Sequence, residues 1–84
     1  MSQEILNQII KDALIDLPTA KWVAQDQCNG DWFAYVTKPY YSQELMMWLR
    51  SPIDRKTNSL AFIKKTDLMP NNQAYEISKM LEKE

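Results

Sequence analysis

Hydrophobic positions in residues 2–17 recur every three or four places, at Ile5, Leu6, Ile9, Ile10, Ala13, Leu14 and Leu17. That spacing gathers them on one stripe of a helix. Ser2 serves as its N-cap, Glu4 suits the positive end of its dipole, and Pro18 stops it. The period then changes to two. Trp22, Ala24, Trp32, Ala34 and Val36 alternate with Val23, Gln25, Phe33, Tyr35 and Thr37, the pattern of two strands on a pleated surface. Residues 26–31 join them and contain Asn29-Gly30, both tolerant of φ > 0, which predicts a tight hairpin turn. Gly30 is the only glycine of the chain, so its one permissive backbone position falls in this turn.

Beyond the hairpin, residues 38–42 form a connector with Pro39 at its centre. The apolar run LMMWLR at 45–50 predicts a third strand, although one helical turn suits its Met and Leu equally well. Residues 51–59 read as a polar, charged loop, and LAFIK at 60–64 as a fourth strand. A second connector holding Pro70 leads to a C-terminal helix over 71–83. Asn71 or Asn72 caps it, Ala74, Ile77, Met80 and Leu81 line it, and Glu76 pairs with Lys79. The order α-β-β-β-β-α predicts one α+β domain over residues 1–84: an N-terminal helix, an antiparallel β-meander of three to four strands, and a C-terminal helix. The N-terminal stripe suits the core of a monomer or, alternatively, a homodimer joined through that helix.

Composition narrows the chemistry. The chain has no His and a single cysteine, Cys28, which removes the usual general base, Ser-His and Cys-His pairs, an internal disulfide and most transition-metal sites. Asp26 and Asp31 flank the turn without the further ligands a Ca²⁺ site requires. No metal, cofactor or catalytic residue is therefore expected, and the chain reads as non-enzymatic. The N-terminus is polar, and no apolar run approaches membrane-spanning length, so a reduced, cytoplasmic protein without membrane contact is expected.

Charge and aromatic content point to binding instead. Nine aromatic residues, three of them Trp, are many for 84 residues. With helices on one face of the sheet, the other face would show Phe33 and Tyr35, or Trp22 and Trp32, to solvent or to a partner. The net charge of −1 is unevenly spread: residues 38–65 hold six basic residues against two acids, a local +4 against −5 for the remainder. Arg55-Lys56 beside Arg50 and Lys64-Lys65 could meet phosphates, with Trp48 as a stacking platform; the other reading is a strand edge kept soluble by Lys. The candidate partner-binding set is Phe33, Tyr35, Tyr40, Tyr41, Trp48, Arg50, Arg55 and Lys56. Its two readings are a protein-binding surface and, less favoured given the acidic remainder, a nucleic-acid-binding module over 50–65.

Around the hairpin the chain resembles a class of small proteins encoded by phages and prophages, with a segment W-x-A-x-D-x-x-G-x-W-x-A-Y-x-x-K-P followed by another Trp-bearing strand. Trp22, Ala24, Asp26, Gly30, Trp32, Ala34, Tyr35, Lys38, Pro39 and Trp48 stand in those places, with one extra residue in the turn around Cys28. The resemblance covers residues 21–48. It implies a phage accessory protein in the host cytoplasm whose partner is a host protein or ribonucleoprotein, acting as an anti-CRISPR-like inhibitor of a host defence or other host macromolecule. It assigns no catalytic residue.

Overall fold

Two elements laid on opposite faces of one sheet give the molecule its form. The computed structural model describes residues 2–69 and 72–82. In chain order they form α1 (Ser2–Asp16), β1 (Trp22–Gln25), β2 (Asp31–Tyr35), β3 (Tyr40–Ser42), β4 (Met47–Leu49), α2 (Pro52–Thr57), β5 (Ala61–Lys65), β6 (Tyr75–Glu76) and α3 (Ile77–Glu82). This is an α+β fold, with an N-terminal helix, antiparallel sheet and a short C-terminal helix, as expected.

The connectivity departs from a simple meander. The main sheet has the order β5-β2-β1-β6, while β3 and β4 pair only with each other. The run 45–50 therefore becomes a turn and half of a separate hairpin, and β5, the expected fourth strand, takes the place beside β2. Residues 75–76, expected within the last helix, close the far edge against β1. The helix starts only at Ile77; its expected ends, Asn71 and Lys83, lie outside the described residues.

The inner face of this sheet carries the core. Leu6, Ile9, Ile10 and Ala13 of α1 pack with Val23, Trp32 and Ala34, with Ile63 and Ile77 completing the cluster. The apolar stripe of α1 is thus occupied within the chain itself; Ile5, at its margin, stays exposed. Burying such side chains contributes about 1.5–3 kcal/mol each, so this layer supplies most of the apolar stabilisation.

The turn expected within residues 26–31 is present, with a positive φ at one of its two permissive residues. Gly30 has the positive φ foreseen, 81°, but Asn29 does not, and residues 26–30 form the loop between β1 and β2. It is closed by Gly30 N–H donating to Asp26 O and Asp26 N–H to Asp31 O, both at 2.9 Å. This loop length sets the register Trp22↔Tyr35, Val23↔Ala34, Ala24↔Phe33. Even positions of β1 consequently face odd positions of β2. Trp22 and Trp32, grouped together by simple alternation, lie on opposite faces.

Candidate functional site

The outer face of the sheet carries Ala24, Phe33, Tyr35 and Phe62, and the β3–β4 hairpin covers part of it. Backbone and carboxylate hydrogen bonds hold that hairpin. Trp48 N–H donates to Asp26 Oδ1 at 2.8 Å, Cys28 N–H to Met46 O at 2.9 Å, and the Tyr35 hydroxyl to Trp48 O at 3.5 Å. Tyr41 and Trp48 are cross-strand partners with ring centroids 5.3 Å apart. Met46 closes the hairpin in the left-handed region, φ 54°.

Asp26 is buried beneath the hairpin. Desolvation pushes its carboxyl above the ordinary value, the Trp48 N–H opposes this, and the charge of Asp31 adds to it. Burial, and next the charge of Asp26, likewise raise the Tyr35 phenol, which stays neutral.

A second buried carboxylate fastens α2. The expected loop 51–59 folds as a helical turn because Ser-Pro-Ile-Asp is a helix-start sequence: Ser51 Oγ accepts from Asp54 N–H, Pro52 opens the helix, and Asp54 lies in its first turn. Asp54 is fully buried and accepts from Val36 N–H at 3.0 Å, from Thr37 N–H at 3.1 Å and from Thr37 Oγ1 at 2.9 Å. Asn58 ends the turn in the left-handed conformation, its side chain accepting from Arg50 Nη1.

The candidate residues fall into three groups. Tyr35 is 1% exposed and serves the interior. Phe33, Tyr41, Trp48 and Arg50 are half-buried around the hairpin, and Tyr40 is exposed on β3. Arg55 and Lys56 are exposed on α2, while Lys64 and Lys65 are exposed at the other end of β5. At about 3.3 Å per residue, the strand between those pairs separates them by roughly 13 Å. The two pairs therefore do not form one cluster.

What sequence reasoning passed over is the apolar part of that face. Phe62 is 53% exposed with its ring edge-on to Phe33, centroids 5.5 Å apart, and Leu60 beside it is 40% exposed. Leu45 and Met46 are exposed at the hairpin tip. The signal was present: a strand reading LAFIK with only one covered face must show Leu60 and Phe62 when Ala61 and Ile63 turn inward. Between the hairpin and β2, Asp26, Phe33, Tyr35, Met47, Trp48, Leu49, Arg50 and Leu60 line a recess of about 190 Å³.

A larger open hollow of about 470 Å³ lies at the hairpin turn, bordered by Cys28, Asn29, Gly30 and residues 65–68. Gln25 fills the ground beneath it: Nε2 lies within 3.0–3.2 Å of Gly30 O, Thr66 O, Thr66 Oγ1 and Asp67 O, and Oε1 accepts from Met69 N–H. Those bonds make the hollow a structural junction. Among the described residues no group of His, Cys, Asp and Glu could hold a metal ion, and no helix is long and apolar enough to cross a membrane. Comparison with known proteins finds no matching family model, no matching curated protein and no matching solved structure.

Proposed function

We propose that this chain is a small, non-enzymatic binding protein of phage type that works in the host cytoplasm by occluding a surface of a host protein or ribonucleoprotein, as an inhibitor of host defence. One observation carries the reading: the inner face holds a complete core, while Phe62 and Leu60 stand exposed on the outer face beside an apolar recess and between cations. Exposed aromatics next to a recess, bordered by polar residues, form the anatomy of a protein-binding patch. The absence of His from the sequence and the phage-type hairpin pattern support the non-catalytic and phage parts of the reading.

The nucleic-acid reading gains less from the arrangement. The Trp48 ring is packed on Tyr41 and its Nε1 donates to Asn72 Oδ1, and the basic pairs are divided by the length of β5. The deciding experiment places a photo-crosslinking phenylalanine analogue at Phe62 and, as control, at Ile15, which is exposed on α1. Cross-linking in bacterial cells should capture a discrete host species through position 62 and not through position 15. Equal capture at both, or at neither, refutes the proposal. Tight DNA binding at physiological salt, lost in Arg55→Glu/Lys56→Glu, would put the nucleic-acid module in its place.

A further inference from the structure

The recess under the β3–β4 hairpin is too small for a nucleotide or a drug-sized ligand, whose sites run to about 300–1,000 Å³. At about 190 Å³ it compares with the apolar cavity of about 150 Å³ that holds a single benzene ring. It therefore has room for one side chain. Phe33, Met47, Leu49 and Leu60 make the walls apolar; besides the buried Tyr35 phenol, which donates to Trp48 O, the ionisable groups at its border are Asp26 and Arg50.

These two differ in what they can offer. Asp26 is buried, and its carboxylate is engaged by the Trp48 backbone. Arg50 is half-exposed, and of the five N–H donors on a guanidinium it commits one among the described residues, to Asn58 Oδ1. The group able to recognise an incoming charge is thus a cation, as are the exposed Arg55 and Lys56 of the neighbouring helix.

Resting on the protein-binding reading above, we propose that this recess is the anchor pocket of the outer face, taking one aromatic or branched aliphatic side chain of the partner protein whose neighbouring carboxylate meets Arg50. Such an anchor is the kind of contact that dominates binding energy, while the surrounding residues exclude water. The charge pairing adds orientation and selects against partners that present a cation at that place.

The test follows backbone amide resonances of the whole chain during titration with phenylacetate, phenethylamine and acetate. Phenylacetate should shift the Phe33, Trp48 and Leu60 amides saturably at millimolar concentration, and acetate should not. Arg50→Gln should weaken phenylacetate about fivefold, the change expected from losing an exposed charge pair of about 1 kcal/mol. Leu60→Trp should fill the recess and abolish the shifts while leaving the α1 resonances in place. Phenethylamine binding as well as phenylacetate, indifference to Arg50→Gln, or the absence of saturable shifts each overturns the proposal. A positive cross-link from position 62 with a failed titration removes the pocket alone; a failed cross-link removes the partner and the pocket's role together.

Discussion

α1 and the β3–β4 hairpin cover the same sheet from opposite sides, with α2 fastened beyond the end of β2 to complete the outer layer, yet the two layers are held by different forces. α1 is attached by apolar packing: Leu6, Ile9, Ile10 and Ala13 are buried against Val23, Trp32 and Ala34. The outer layer is attached through two buried carboxylates. Asp26 takes the Trp48 amide, and Asp54 takes the Val36 and Thr37 amides together with the Thr37 hydroxyl. Hydrophobic contact is non-directional and grows with area, whereas a buried carboxylate fixes the few groups that satisfy it and is costly to leave without them. The packed layer supplies bulk stability, and the hydrogen-bonded one supplies position. The outer layer can therefore leave Leu60 and Phe62 uncovered without loss of the core.

The largest expected effect falls at the β1–β2 turn, where Gly30 meets the segment after β5. A Cβ at Gly30 would lie 2.5 Å from the Thr66 carbonyl oxygen, at a backbone φ of 81°. Gly30→Val should cost about 4 kcal/mol, strain and overlap together, read as a lowered denaturant midpoint. An unchanged midpoint would mean that residues 66–69 can part from the turn.

Next comes the contrast itself. Ile9→Ala should cost about 3 kcal/mol and lower hydrogen-exchange protection throughout the sheet. Asp54→Ala, which leaves two amides without their acceptor, should cost about 2–3 kcal/mol and open first at Val36, Thr37 and α2. Identical exchange patterns in the two variants would erase the distinction between the layers.

Asp26 gives it a pH signature. Because burial raises the folded pKa above 3.8, the folded state holds this proton to higher pH than the unfolded chain does. The associated stability is fully present below that value and is lost as pH rises through the folded pKa. Asp26→Asn does not titrate, so its stability relative to the parent chain should increase between pH 4 and 7. A constant difference in urea melts across that range would contradict this. The smallest effect belongs to Phe62→Ala, about 0.5–1 kcal/mol from the Phe33 contact; a loss as large as that of Ile9→Ala would make the outer face part of the core.

The same contrast explains what was legible in the sequence. Apolar periodicity revealed α1 and the central hairpin, because a side chain that must be buried has to recur with the period of its backbone. It misled about the faces, since the register depends on a loop length that Asn29-Gly30 did not determine. Asp26 and Asp54 looked like solvated turn residues; nothing in one residue's identity tells that a carboxylate will collect amides from 17 to 22 positions away. The Ser-Pro-Ile-Asp start of α2 was readable and outweighed by its charged surroundings. Leu60 and Phe62 were placed on a strand, but their exposure follows from which face α1 takes.

The sheet order also has a consequence in time. β1 and β2 lie at its centre, and their outer neighbours β5 and β6 come later in the chain, the last ending at Glu76. At a synthesis rate of about 5–20 residues per second, the chain from Tyr35 to Tyr75 takes roughly 2–8 s to appear. Until β5 is made a nascent hairpin has α1 available for its apolar face and nothing for either edge, and the β1 edge stays open until β6 follows. Slow translation over residues 36–76, or premature termination before Tyr75, should thus favour aggregation even though every residue of the central hairpin has already been made.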